Sequence, residues 1–127
     1  MQQELNFDIA TLEECIARIE NRRARRLIRG LLLTALTEPH LVEEIDSDGC
    51  VLMTASNATV AKWAEVSEES VRINTRQISE IRPTIIEKSP TVNTPSEWLV
   101  MLSNVMPAEV VQIVVDILNS SKKLGVK

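Results

Sequence analysis

Aromatic residues are scarce in this chain of 127 residues, which contains only Phe7, Trp63 and Trp98 and no tyrosine. A protein that binds single-stranded nucleic acid by base stacking needs aromatic platforms, so the composition argues against that class. Three glycines and five prolines leave few chain breakers, which favours long helices over many short strands. The net charge of −4 excludes a uniformly basic nucleic-acid coat but permits a local basic patch.

Residues that carry common catalytic and metal chemistry are also few. The single histidine, His40, cannot supply a histidine-rich metal site, and three isolated glycines form no phosphate-binding loop. Cys15 and Cys50 are too few for a disulfide framework and suit a reducing compartment. A dyad of either cysteine with His40 is available, but nothing in the flanking sequence favours an activated thiolate. We therefore expect no enzyme, no metal and no cofactor.

The length and the hydropathy pattern indicate where the chain resides. Its length fits one domain with a real hydrophobic core. The first ten residues lack a basic segment followed by an apolar one, and no apolar run approaches the ~20 residues that cross a bilayer. We expect a cytoplasmic protein without membrane association.

The N-terminal third has helical periodicity. Thr11 begins a capping box, and apolar residues recur at helical spacing as far as Leu36. The apolar stripe rotates by about a third of a turn between residues 12–19 and 24–36. We favour a single long helix that buries two faces. The alternative, a break near Asn21, would place four arginines at a positive helix end, which the helix dipole disfavours.

The later elements are predicted from caps, prolines and apolar runs. They are a helical turn or short helix over residues 40–45, a strand or buried segment over 50–54, helices over 58–65 and 68–82, a short strand or extended segment over 84–87, a helix over 96–102 and a final helix after Pro107. The final helix is apolar nearly all round, so we expect it to be buried or shared with a partner. We divide the chain into a unit over 1–88, a linker over 89–95, and a C-terminal helical pair over 96–127 for packing or dimerisation.

Residues 59–78, TVAKWAEVSEESVRINTRQI, form the most informative pattern. Its first helix has small or branched apolar residues, a polar cap follows the turn, and the second helix has two inward positions seven residues apart; these are Val60, Ala61, Ala64, Ser67, Val71 and Ile78. Two helices joined by so short a turn must approach closely, which a small residue permits. The pattern resembles the helix-turn-helix of bacterial DNA-binding proteins, with Glu65 where that family usually has glycine.

The resemblance implies a mainly α fold with a helix-turn-helix core, a long N-terminal helix and a C-terminal helix pair. The extended segment 84–87 suggests a winged variant, whose wing would lie within residues 88–94. A twofold dimer would present two recognition helices to adjacent major-groove turns, ~34 Å apart. We therefore expect a small transcriptional regulator that binds specific double-stranded DNA as a homodimer.

Eight residues are candidates for contact with DNA because they lie at helix starts or on outward faces of the motif. Arg72 and Arg76 can pair with guanine edges or phosphates, and Ile73 can contact a thymine methyl. Serine and lysine side chains beside the groove can hold the backbone. The full set is Thr59, Lys62, Ser67, Glu69, Ser70, Arg72, Ile73 and Arg76.

An arginine cluster precedes the motif. At helical spacing five arginines share one face: Arg18, Arg22, Arg25, Arg26 and Arg29. Arginine suits phosphate recognition, so this stripe is a candidate for DNA backbone contacts. The alternative is a solvated helix face whose arginines pair with Glu13, Glu14 or Glu20.

Acidic residues oppose the DNA-binding hypothesis. Residues 30–71 contain one lysine and eight acidic residues, a net charge of −7. Glu68 and Glu69 lie where phosphates would approach, and carboxylates repel the DNA backbone. The second hypothesis is therefore a protein-interaction adaptor that uses the same scaffold without binding DNA. Salt-sensitive DNA binding distinguishes the two hypotheses.

Overall fold

The described parts of this chain contain helices and a small antiparallel sheet. The computed structural model describes residues 2–73, 85–88 and 96–125, with side chains for residues 9–73 and 97–121. Within these ranges the elements are α1 (Gln2–Ile16), α2 (Arg22–Thr37), β1 (Val42–Ile45), β2 (Cys50–Ala55), α3 (Asn57–Ala64), α4 (described over 68–73), β3 (Ile85–Lys88), β4 (Ser96–Met101) and α5 (Ala108–Gly125). The prediction of a mainly α chain is confirmed, with the sheet as an addition.

The four strands lie in the order β1-β2-β4-β3, and every neighbouring pair is antiparallel. Strand β4 pairs with β2 from Cys50↔Met101 to Ala55↔Ser96, and with β3 from Ile85↔Val100 to Lys88↔Glu97. Chain segments on both sides of the predicted linker therefore belong to one sheet. The linker, residues 89–95, lies outside the described residues. The predicted strands over 50–54 and 84–87 correspond to β2 and β3.

The predicted helix over residues 96–102 is wrong, because this segment is the strand β4 and a short 3₁₀ turn. Trp98, Val100 and Leu102 are fully buried, whereas Glu97 is exposed, which is the two-residue alternation of a strand. Trp98 Nε1 donates a hydrogen bond to the carbonyl oxygen of Ala55, 3.0 Å away. The predicted C-terminal helical pair is thus a strand followed by one helix.

Helix α5 closes the core. It buries one face and packs against α1 and α2, and its buried residues are Val110, Val111, Val114, Val115 and Leu118. The hydroxyl of Ser121 donates to the carbonyl of Leu36, which satisfies a backbone acceptor at the end of α2. Ile113 is 43% exposed on the other face. The expected burial of this helix is confirmed for one face, and that face belongs to the common core.

The predicted single long helix is wrong, since α1 ends at Ile16 and α2 begins at Arg22. Thr11 accordingly lies inside α1 and does not cap it. Asn21 caps α2, because its Oδ1 accepts hydrogen bonds from two backbone N–H groups, each 3.0 Å away. The break lets both parts of the rotating apolar stripe face the core. Burying a single Leu or Ile contributes about 1.5–3 kcal/mol, against about 0.3–1 kcal/mol for a cation at the wrong helix end.

The segment after Pro39 also differs from the prediction. A 3₁₀ helix covers Pro39–Leu41, as the predicted helical turn requires, but Val42–Ile45 is the strand β1. Pairing with β2 determines this conformation, because Val42↔Met53 and Ile45↔Val51 are partners in the sheet. The pattern of residues 40–45 does not include β2, so these six residues alone do not predict the pairing.

Candidate nucleic-acid interface

Helix α3 begins at a serine cap, Ser56, where the sequence left Ser56 and Asn57 open as the cap. Ser56 Oγ accepts a hydrogen bond from the backbone N–H of Thr59 at 3.2 Å, and the two hydroxyls lie 2.9 Å apart. Val60, Ala61 and Ala64 are buried, in agreement with the apolar positions of the motif. Thr59 is half-buried, so only part of this predicted DNA contact faces solvent.

The turn after α3 contains a left-handed residue. Glu65 has φ 59° and ψ 41°, a conformation that favours glycine. The backbone N–H groups of Glu65 and Val66 both donate to the carbonyl oxygen of Ala61, as in many helices that end in a left-handed residue. Glutamate thus takes the backbone conformation for which the resembled family usually employs glycine.

Helix α4 follows at once. Ser67 caps it, since Ser67 Oγ accepts from the N–H of Ser70 at 3.1 Å and lies 3.0 Å from the Ser70 hydroxyl. Val71 is fully buried and anchors the helix on the core. Arg72 and Ile73 are exposed, the latter to 46% of its surface. This arrangement leaves one face of the described part of α4 exposed to solvent.

The remaining predicted contacts divide into exposed, half-buried and undescribed residues. Lys62 is exposed, and its Nζ lies 5.5 Å from the centroid of the Trp63 ring. Glu69 is exposed, and Ser70 is half-buried. Arg76 and the predicted inward residue Ile78 lie outside the described residues.

Helix α3 packs on α2 at a glycine. A Cβ added to Gly30 would lie 2.7 Å from Ala64 Cβ and 2.8 Å from the carbonyl oxygen of Val60. Such distances leave no room for any side chain, so Gly30 permits the close approach that positions the motif. Sequence reasoning placed the close approach at Ala61 and gave Gly30 no role. An isolated glycine inside a strongly helical pattern was the available signal.

The predicted arginine stripe divides into two groups, and the first faces the protein. Arg29 Nε and Nη2 donate to Glu13 Oε1 at 2.9 and 2.6 Å, and its Nη1 donates to the carbonyl oxygen of Trp63 at 2.7 Å. This cation therefore joins α1 and α2 to the C-terminal end of α3, where the helix dipole favours positive charge. Arg25 Nη1 donates to the carbonyl of Ile19. As phosphate contacts these two residues stay predictions, and protein groups already engage three donors of Arg29 and one donor of Arg25.

The second group of arginines faces solvent near α4. An open cleft of about 370 Å³ separates the first turns of α2 from the turn and start of α4. Its lining residues are Arg22, Arg23, Arg26, Val66 and Ser70. Arg18 is exposed but does not line this cleft. We refer to these five lining residues as the arginine cleft.

Acidic side chains lie on the same side of the molecule. Glu65 is largely exposed, and its Oε2 is 3.7 Å from Arg29 Nη1, a distance that gives a weak ion pair. Glu68 and Glu69 are exposed on the first turn of α4. Negative charge at the start of a helix stabilises it, which supplies a structural reason for these two residues.

The cysteines show no sign of activation. Burial raises the pKa of the Cys15 thiol, more than the nearby Arg18 lowers it. Burial, together with the charge and hydrogen bond of Asp46, raises the pKa of the Cys50 thiol. A nucleophilic cysteine needs the opposite shift of its pKa. Among the described residues, no group of three or more His, Cys, Asp and Glu side chains could hold a metal ion.

Comparison of the chain with family models, with curated proteins and with solved structures gives no match. None of the helices in the described ranges has both the length and the hydropathy of a bilayer span. The function of the chain must therefore be inferred from the α3–turn–α4 unit and the arginine cleft themselves.

Proposed function

We propose that this protein binds double-stranded DNA through the α3–turn–α4 unit and acts as a small transcriptional regulator. The observation that carries the proposal is the position of α4. A capped helix follows a tight turn, buries Val71 on the core, and exposes Arg72 and Ile73 on its outer face. This is the arrangement by which a second helix enters the major groove.

The order of elements supports the proposal. From α2 onward the chain runs through β1 and β2, then α3, the turn and α4, then β3 and β4. Strand β4 pairs with both β2 and β3, so an antiparallel hairpin follows the helix pair. A winged helix-turn-helix has such a hairpin after its recognition helix. The predicted wing, within residues 88–94, lies beyond Lys88 outside the described residues.

Two copies of the chain are part of the proposal. One α4 reads only a few base pairs, and a symmetric pair would read half-sites one helical turn apart. Serine and arginine side chains near the start of α4 would hold phosphates and fix the register, while outward residues of α4 read base edges. Ile73 offers an apolar contact of the kind that a thymine methyl accepts.

Binding to pooled genomic duplexes tests this function. Fluorescence anisotropy at low and near-physiological salt should show binding that weakens with salt and persists for a subset of sequences. Arg72→Ala should weaken that specific binding by about 1–3 kcal/mol if Arg72 contacts a base. Arg18→Ala removes the same charge outside the motif, and it should leave the sequence preference unchanged. No binding by the wild-type protein at low salt would overturn the proposal.

A protein-interaction adaptor is the second candidate, and the exposed Glu68 and Glu69 favour it. Two carboxylates at the start of α4 would repel a phosphate backbone and would suit a basic protein surface. This candidate predicts no salt-sensitive DNA binding at any ionic strength. The anisotropy measurement therefore separates the two functions.

A further inference from the structure

We propose that the arginine cleft binds a phosphoryl group. The cleft brings residues from two separate parts of the chain together, the first turns of α2 and the turn preceding α4. It contains three guanidinium groups, one hydroxyl and one apolar side chain. A guanidinium presents a planar fork of N–H donors that matches two oxygens of a phosphate, so several arginines around one cleft favour that ligand chemistry.

Two of the three arginines in the cleft, Arg22 and Arg26, differ in their partners from the other arginines of α2. Helix α2 has no acidic residue in its first turn. Among the side chains that the structure describes, no carboxylate forms an ion pair with Arg22 or Arg26. Arg25 and Arg29, on the same helix, do have protein partners. Among the described residues, Arg22 and Arg26 thus differ from Arg25 and Arg29 in having no such partner.

Arg22 and Arg26 also lie at the start of α2, where positive charge destabilises a helix. Arg22 and Arg26 are one turn apart at the positive end of α2, so each repels the other and the helix dipole. Asn21 already satisfies two backbone N–H groups of this end. The side chains are therefore the donors that a ligand would meet, and an anion would relieve their repulsion.

The size and lining of the cleft define the ligand further. A volume of about 370 Å³ is at the lower end of the ~300–1,000 Å³ range of small-molecule sites. It exceeds what one phosphate needs. The Ser70 hydroxyl lies 3.0 Å from that of Ser67, and a serine that accepts a hydrogen bond there keeps its own proton for a phosphate oxygen. Val66 supplies an apolar wall.

Two sources can supply this phosphoryl group. One is a DNA backbone phosphate beside α4, and this source rests on the proposed function. The other is a free phosphorylated molecule, which would connect α2 to α4 and thereby affect how α4 is held. The chemistry of the cleft is the same in both cases, so the experiment must include both ligands.

Binding of inorganic pyrophosphate and of a duplex from the genomic pool tests the cleft. Both are titrated at low salt into the full-length wild-type chain, the double variant Arg22→Gln/Arg26→Gln, and Arg18→Gln. Arg18→Gln removes an exposed arginine that does not line the cleft. We expect the double variant to weaken pyrophosphate binding about tenfold or more, since hydrogen bonds to charged groups contribute more than one factor of ten. The control should bind pyrophosphate like the wild type.

A thermal melt accompanies each titration. The double variant should unfold at or above the wild-type temperature, because it removes repulsion at the start of α2. Loss of binding with intact stability supports the cleft. Equal loss of pyrophosphate binding in Arg18→Gln would show a diffuse charge effect and overturn the proposal.

The two ligands separate this inference from the proposed function. Pyrophosphate binding that depends on Arg22 and Arg26 without any DNA binding would retain the cleft, assign it a free phosphorylated ligand, and refute the regulator. DNA binding that is identical in the wild type and the double variant, with no pyrophosphate binding, would refute the cleft and retain the regulator. Failure to bind either ligand would refute both.

Discussion

Replacing Gly30 by alanine should separate α2 from α3 and destabilise the fold. The added Cβ would approach Ala64 Cβ to 2.7 Å, the Val60 carbonyl oxygen to 2.8 Å and the Ala64 nitrogen to 3.0 Å. Ordinary van der Waals contact begins near 3.4 Å. Two of the three atoms belong to the backbone of α3, so no side-chain rotation can relieve the contact and one helix must move.

Two opposing effects determine the magnitude. Alanine is favoured over glycine inside a helix by about 0.8–1 kcal/mol. Overpacking a well-packed site costs about 1–3 kcal/mol, and contact with backbone atoms places Gly30→Ala in the upper part of that range. We therefore expect a net loss of about 1–2 kcal/mol in the free energy of unfolding. For a chain of this size that corresponds to a melting temperature lower by about 3–8 °C.

Urea denaturation followed by tryptophan fluorescence and by circular dichroism measures this loss, because Trp98 is fully buried. The double variant Gly30→Ala/Ala64→Gly removes the closest contact and should recover part of the stability, with a coupling energy of at least about 0.5 kcal/mol. Ala58→Gly, at an exposed site in α3, measures the helix propensity of glycine alone. A gain of about 1 kcal/mol in Gly30→Ala would refute the reasoning, since propensity would then outweigh packing.

Two further predictions concern the turn and the thiols. Glu65→Gly should raise the free energy of unfolding by about 0.5–1 kcal/mol in urea denaturation, because glycine adopts the left-handed conformation without the penalty of a side chain. Glu65→Val should lower the free energy of unfolding. The reverse order of the two variants would contradict the turn geometry. For Cys50, alkylation by iodoacetamide should rise with pH at a midpoint above that of an unfolded control peptide, because burial and Asp46 raise its thiol pKa. Because the unfolded thiol has the lower pKa, it ionises first as the pH rises. The contribution of Cys50 to the free energy of unfolding is therefore complete below the unfolded pKa and is lost as the pH rises through the folded pKa. An alkylation midpoint below that of the control peptide would contradict the assignment.

Local signals predicted the motif region well. The caps Ser56 and Ser67 and the buried positions Val60 and Val71 follow from residues within a few positions of each other. A cap bonds to the N–H of its own helix, and an inward residue is determined by the period of that helix. These interactions are encoded in the segment itself, so the sequence suffices to predict them.

The wrong or missed predictions concern residues whose conformation or role depends on a segment that is distant in the sequence. The segment SEWLVM is a short apolar run, which periodicity cannot assign to a strand or a helix. Pairing with β2 and β3 makes this segment a strand, because β4 lies between them in the sheet. Gly30 likewise gains its role only from α3, and Arg29 from Glu13 and the Trp63 carbonyl. No window around these residues contains the partner that determines their conformation.

Two departures from local preference meet at one place in the fold. Arginines at the positive end of α2 disfavour the helix, and a left-handed glutamate disfavours the turn before α4. Glu65 immediately precedes Val66, which lines the arginine cleft together with Arg22 and Arg26. A sequence selected for stability alone would place an acid at the first site and glycine at the second. Because local conflicts of this kind persist at functional sites, the coincidence supports the proposed phosphoryl site between α2 and α4.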